Sequence, residues 1–387
     1  MVSRIYLDAN AGALPHPEVR AAMVTALDVA VNPSSVHAEG RKARALIDAA
    51  RAEAAGAVGS RPENVIFTSG ATEAAALALT PRLFAGEGER RAGHLYVGAT
   101  EHPCVLAGGR FPAEAISRLP VYPSGLLDLD ALERALAAHD RSRGAPYVAL
   151  MLANNETGVI HPVAEAVRVV KAHGGYVFCD AAQALGRIAV DIKALGVDFL
   201  ALSAHKLGGP QGIGALILAD QDLRPEPLLK GGGQEHRRRA GTENVAGVVG
   251  FGVAARLAGH HLRDTGRLSA LRGRIEAGLR AVSPEAKIAG TDAERLSNTT
   301  VFAVPGFSTE TVVIAFDLRG IAVSAGSACS SGKVAASHVL EAMGEPAEVA
   351  RSGVRVSLSP VNDDADVEGF IAAWSSIYTG MRQRRAA

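Results

Sequence analysis

Short apolar runs recur along the first two-thirds of the chain, and each ends at a cluster of turn residues. "NVIFTSG", "HLYVGAT", "YVALMLANN", "YVFCD", "VDFLALSAH" and "IGALILA" lack polar alternation. That pattern predicts strands buried on both faces. Between them, "EVRAAMVTALDVA", "RKARALIDAARAEAAGAV", "LDALERALAAH" and "AEAVRVVKAHG" have helical spacing and helix-forming composition. Strands alternating with helices imply an α/β domain with a mainly parallel sheet, whose ligands sit beyond the carboxyl ends of the strands. The polar clusters "SGATEA", "TEHP", "NNETG", "DAAQ" and "SAHK" follow strands at those places.

From about residue 251 the texture changes. The stretch 251–282 predicts one long helix, a spine joining two domains. Beyond it, "LSNTTVFAVPG", "TVVIAFDLRG", "GVRVSLS" and a final helix from "DADVEGF" onward predict a small α+β domain. The basic end "MRQRRAA" reads as a solvated, fraying tail. A chain of 387 residues is too long for one simple core, which agrees with two domains.

Composition narrows the functional classes. Forty basic and forty acidic residues cancel, so no overall field favours nucleic acid or an anionic membrane. The start, "MVSRIYLDAN", has no apolar leader, and the longest apolar stretch is interrupted by Arg256. The expectation is a cytoplasmic protein. Three cysteines, Cys104, Cys179 and Cys329, form no paired framework and no C-x-x-C spacing.

Four pieces carry chemistry. Gly70, Ala71 and Thr72 open a helix, where free amides and a hydroxyl can cradle phosphate. Caps of this kind also open many helices that bind nothing. Asp180 ends an apolar strand, with Gln183 one turn on; a carboxylate there needs a cation, whether an internal ion pair or a protonated ring nitrogen. Lys206 follows a buried strand and precedes a glycine-rich turn. A desolvated lysine loses its proton readily and then attacks aldehydes. His102 could lie against a ring face. A phosphate cradle, a ring acid, an aldehyde-capturing amine and a stacking group together specify pyridoxal 5'-phosphate. Cys329 stands apart, in "VSAGSACSSG". Small residues around it suit a thiol that must travel.

"NPSSVHAEG", "SGATEA", "EHP", "NNETG", "DAAQ", "SAHKLGGPQGIGAL", "GGGQEHRRRAGTENV" and "SAGSACSSG" resemble, in order, the motif series of the cysteine desulfurases. These belong to the class V aminotransferase group, and the closest likeness is to the nitrogen-fixation and iron–sulfur-cluster branch with a long cysteine loop. The resemblance implies a fold-type I pyridoxal-phosphate enzyme. Its large domain, 14–255, has a mainly parallel seven-stranded sheet; its small domain, 1–13 and 256–387, carries the cysteine loop at about 323–335. It implies that Lys206 holds the cofactor covalently, that Ala71, Thr72, Ser203 and His205 hold the phosphate, and that Thr242 reaches the neighbouring subunit's phosphate in a homodimer. His102 would stack on the ring, Asp180 pair with its nitrogen and Gln183 bond its phenolic oxygen. Asn155 would serve cofactor and substrate, and Arg355 the substrate carboxylate. L-cysteine would be the substrate, Cys329 the sulfur acceptor, and a further protein the recipient for cluster or thiocofactor assembly.

The chain departs from the family at "LDANAGALP", where Gly12 and Ala13 replace the usual pair of threonines. Cys179 and Cys104 read as structural. Arg237, Arg238 and Arg239, without interleaved aromatics, give little support to a nucleic-acid site; the resemblance implies a subunit-contact and active-site loop there. Selenocysteine lyase, cysteine sulfinate desulfinase and a non-catalytic scaffold are the alternatives. The intact Lys206, Asp180, His102 and Cys329 argue against the last.

Overall fold

All six apolar runs are strands, and three less apolar segments join them. In chain order the strands are β1 (Val65–Thr68), β2 (Arg82–Ala85), β3 (Gly88–Gly98), β4 (Ile116–Leu119), β5 (Ala145–Met151), β6 (Tyr176–Asp180), β7 (Phe199–Ser203), β8 (Gly214–Leu218) and β9 (Leu223–Pro225). They form one sheet in the order β9-β2-β3-β5-β6-β7-β8-β1, with β4 on the free side of β3. Strands β4, β3, β5, β6 and β7 run parallel, and β8 lies antiparallel between β7 and β1. This computed structural model describes residues 4–29, 31–326 and 336–386; Cys329 and the rest of 327–335 lie outside the described residues.

The expected mainly parallel, seven-stranded sheet is present as β1 and β3–β8. It is extended by β2 and β9, which pair with the polar first half of β3 and with each other. Edge strands tolerate charge, so the arginines and glutamate of "RLFAGEGERR" hide them from an apolar-run reading. Inside the sheet, successive residues go to opposite faces. Phe67, Val148, Leu150, Val177, Leu200 and Ile217 join one core cluster. Ile66, Tyr147, Ala149, Phe178, Phe199 and Leu216 join another. Both faces are covered, which is why these runs show no alternation.

Helices α1 (Pro17–Leu27) and α2 (Ala38–Gly56) precede the sheet, and α3 (Ala71–Ala78) follows β1 directly. The expected single spine is two helices, α4 (Val245–His261) and α5 (Thr265–Val282), separated by a 3-10 turn at Leu262–Asp264. The change of winding falls where the helix changes cores. Phe251, Ala254 and Leu257 of α4 belong to the sheet's cluster; Leu268, Leu271, Ile275 and Leu279 of α5 belong to a separate one. Among the described residues, only this stretch is long and apolar enough to cross a membrane, and its apolar window is mostly buried.

The separate core lies under a four-stranded antiparallel sheet of β10 (Lys287–Ile288), β11 (Thr299–Ala303), β12 (Ser324–Ala325) and β13 (Gly353–Ser357), ordered β10-β11-β13-β12. It includes Leu7 from the N-terminal segment and Phe370 and Trp374 from α6 (Asp364–Ala386). The "MRQRR" segment is helical rather than frayed. Met381 packs on this core, and Arg382 lies 6.0 Å above the Tyr378 ring, whose hydroxyl donates to Glu285 at 2.7 Å.

One loop is held by a buried ion pair. Glu235, His236 and Arg237 are left-handed non-glycine residues, with φ of 47°, 55° and 63°. Such residues cost about 1–3 kcal/mol each and persist only where surrounding contacts impose them. Here Glu235 accepts from Arg51 at 2.8 and 2.7 Å and from the Phe67 amide at 2.9 Å. Arg51 also donates to Val65 O at 2.7 Å and covers the Phe67 ring. Glu235→Ala leaves Arg51 buried without its counter-charge. The expected loss is about 3–5 kcal/mol in urea denaturation, and Arg51→Met added to Glu235→Leu should recover much of it. A Glu235→Ala protein as stable as the parent contradicts this account.

Candidate active site

The parallel strands end at one edge, and the polar residues just past those ends converge there. β1 leads to Gly70, Ala71 and Thr72; β3 to His102; β5 to Asn155; β6 ends in Asp180 and leads to Gln183; β7 ends in Ser203 and leads to His205 and Lys206. With Asn10 and Ala11 from the N-terminal segment and Arg355 from β13, they line a cavity of about 490 Å³. Ten of the sequence-predicted residues thus meet in one place: Ala71, Thr72, His102, Asn155, Asp180, Gln183, Ser203, His205, Lys206 and Arg355. Thr242 does not join them. It lines an adjacent cleft that shares Ser69 and Gly212 with the cavity.

One end of the cavity suits an anion. Helix α3 starts at Gly70 with no side chain capping its first amides, so those donors and the helix dipole face the opening. Glu73, in the first turn, is tied down by the Ser69 amide at 2.7 Å and by Arg239 at 2.8 Å. Strand β8 passes so close that a Cβ on Gly214 would stand 2.7 Å from the Gly70 backbone. Ser203 Oγ lies 3.0 Å from His205 Nδ1. Burial, and then the Lys206 charge, hold the His205 ring neutral with a pKa of about 4.

The middle suits a flat cationic ring. Asp180 is only 8% exposed; its Oδ1 accepts the Ala182 amide at 2.9 Å, and it has no ion pair among the described residues. Burial raises its pKa, while that amide, His102 and Lys206 oppose the rise. A carboxyl so placed fits a protonated ring nitrogen. His102 caps the short helix Pro103–Leu106, its Nδ1 accepting the Cys104 amide at 3.3 Å. Burial lowers its pKa, so the imidazole is neutral at pH 7. Lys206 Nζ donates to Asn10 O at 2.6 Å and Ala11 O at 3.1 Å. These donors, this carboxyl and this amine fit pyridoxal phosphate.

The far end suits a carboxylate. Arg355 is 3% exposed, donates to Asn155 O at 3.1 Å and to Asp8 Oδ1 at 2.8 Å, and lines the cavity. A guanidinium in a cavity wall suits a carboxylate ligand.

Sequence reasoning passed over Asn10, although "LDANAG" was read for its missing threonines. Asn10 O accepts both Lys206 and Gln183 Nε2, the latter at 3.0 Å. It also passed over Glu101 and Glu156, which stand inside the quoted motifs "TEHP" and "NNETG". Of the "HRRRAG" arginines, Arg238 donates to Glu63 O at 2.8 Å and Arg239 to Glu73. That internal use accounts for two of the three charges.

The fold and this cavity define an enzyme class, and comparison agrees. The chain belongs to the aminotransferase class-V family, which it matches over residues 5–370. Its relatives include a cysteine desulfurase of Frankia sp., 41% identical over 92% of this chain and 86% of the relative. Cysteine desulfurase 2 of Trichormus variabilis is 37% identical, covering 98% of this chain and 94% of the relative. The crystal structure of a NifS-like protein from Rickettsia africae superposes with a TM-score of 0.87 at 35% identity, covering 97% and 99% of the two chains.

Burial favours the protonated form of the two described thiols. Burial, then Asp180, pushes Cys104 up to about 12, and Cys179 is fully buried with its pKa raised well above the ordinary thiol value. Thiolate is the reactive form, so in Cys329→Ser protein both should resist an aromatic disulfide reagent at pH 7.5. Labelling of Cys104 should climb about tenfold per pH unit in alkali, since each unit multiplies the thiolate fraction tenfold. Stoichiometric labelling at pH 7.5 contradicts the assignment.

Proposed function

We propose that this chain is a cysteine desulfurase that uses pyridoxal 5'-phosphate, converts L-cysteine to L-alanine and takes the sulfur onto Cys329. The observation that carries the reading is the single cavity that brings Lys206, Asp180, His102 and Arg355 to the carboxyl edge of a fold-type I sheet. When bound, pyridoxal phosphate supplies an electron sink that makes a substrate's carbon–sulfur bond breakable.

The chain's residues divide the remaining work. Lys206 would hold the cofactor aldehyde, and its amine is placed to move a proton at the substrate α-carbon. Ala71, Thr72, Ser203 and His205 hold the phosphate, with Thr242 serving the second subunit of a homodimer. Asp180 would hold the ring nitrogen, Gln183 the phenolic oxygen and His102 the ring face. Neutral His102 can accept a proton at neutral pH. Arg355 and Asn155 fix the substrate carboxylate. The Cys329 thiolate attacks the substrate sulfur; a carbon–sulfur bond breaks and a sulfur–sulfur bond forms. L-cysteine and a thiol become L-alanine and a persulfide, with no outside oxidant or reductant. A sulfur-accepting protein then clears the persulfide. Residues 14–255 would form the cofactor-binding domain and 1–13 with 256–387 the small domain; separate apolar cores support two domains, although Leu257 and Ala258 pack with the large sheet and favour a boundary nearer the turn at Leu262–Asp264.

Mass spectrometry after incubation with L-cysteine, without reductant, should place one extra sulfur on Cys329. Cys329→Ser should still bind L-cysteine spectroscopically but release no sulfide. Extra sulfur on Cys104 alone would sink the mechanism. Arg355→Lys should raise KM about 10- to 100-fold with a smaller change in kcat, the loss expected for a charged hydrogen bond made in both ground and transition states. An unchanged KM removes Arg355 from the substrate site.

A further inference from the structure

Glu156 follows Asn155 in the loop after β5, is 1% exposed and does not line the cavity. Its amide donates to Asn154 Oδ1 at 2.9 Å, which fixes the turn. Its carboxylate is spent elsewhere: Oε2 accepts the Ser337 hydroxyl at 2.6 Å. A Cβ built on Gly326 would stand 2.6 Å from that same oxygen and 3.8 Å from Ser337 Cβ. Gly326, Glu156 and Ser337 therefore meet at one point, and only glycine leaves room for the carboxylate there.

Each of the two backbone positions is also anchored on its own side. Gly326 N donates to Gly353 O at 3.2 Å, and Ser337 N to Ala350 O at 2.9 Å. Ser337 Oγ accepts the Leu340 amide at 3.1 Å, and His338 Nε2 lies 2.9 Å from Glu101 O. Just before Gly326, Ser324 of β12 is paired with Arg355 of β13. In sequence, Cys329 stands three residues after Gly326 and eight before Ser337.

We propose that Glu156 is a positioning residue for sulfur transfer, its carboxylate bonded to Ser337 and packed against Gly326, the described residues on either side of the span that carries Cys329. The proposal rests on the desulfurase reading. Glu156 touches neither cofactor nor substrate; it acts through the two residues it meets. A buried carboxylate is costly unless hydrogen-bonded, and here the bond it makes is to Ser337.

The test is single-turnover reaction of the holoenzyme with L-cysteine, reading substrate binding by absorbance and sulfur on Cys329 by mass. Glu156→Ala should bind L-cysteine within about twofold of the parent and load Cys329 at least about tenfold more slowly, the loss of one charged hydrogen bond. Glu156→Gln, which keeps an acceptor for Ser337, should recover most of the rate. Ser337→Ala, a smaller change, should slow loading in the same direction, and its effect should not add to that of Glu156→Ala. Loading at the parental rate in both alanine variants overturns the proposal. So does an equal loss of binding and loading, the mark of a general structural role. Failure of the parent itself to load Cys329 instead condemns the desulfurase reading.

Discussion

The site depends on how Asn10 is satisfied. It is 1% exposed, and its polar atoms are shared among four parts of the fold. Its carbonyl receives Lys206 and Gln183; its side-chain amide donates to Asn155 O at 3.1 Å and Thr299 Oγ1 at 2.9 Å; its own amide donates to Ser357 Oγ at 2.9 Å. Asn298 completes the set by donating to Oδ1 at 3.2 Å. Buried polar groups must be paired, so each bond is obligatory, and together they fix the large sheet, the small sheet and the reactive amine in one frame. That frame, with the direct bond from Arg355 to Asn155 O, sets the distance between Arg355 on the small sheet and Lys206 on the large one.

Around this knot, burial keeps the histidines neutral while the cations are fixed by geometry. His205 and His102 are held below the ordinary imidazole pKa. Arg355 leans on Asp8 and Asn155, and Asp180 makes no ion pair among the described residues, with His102 and Lys206 nearby. The cavity is thus graded from an anion-favouring helix start, through a cation-favouring carboxyl, to an anion-favouring guanidinium. A phosphorylated, ring-protonated cofactor joined to an amino acid carries charge in that order.

Much of this was legible in the sequence because it depends on local pattern. Unbroken apolar runs marked the doubly covered strands, and the polar residue just after each run marked the cavity wall. Charged edge strands β2 and β9 were not legible, because an edge needs no apolar code. The break at Leu262–Asp264 was hidden because helical periodicity continues through it while the packing partner changes. Asn10 was missed for a related reason: its importance lies in contacts with residues 145 to 347 positions away, which no local motif displays. The "MRQRR" end is solvated as its charge suggests but helical rather than frayed, because it continues a helix anchored by Met381 and Tyr378, which composition does not display.

The strap formed by the first described residues also sets an order of assembly. Ile5 and Tyr6 pair with Ile321 and Ala322, and Asp8 bridges to Ser357. Residues 5–8 can reach their place only after residues 321–357, made later, have left the ribosome. Long-range closures of this kind are slow and late. The lysine-bearing sheet can therefore collapse early, but its cavity wall at Asn10 and Ala11 closes only once the small sheet has been made.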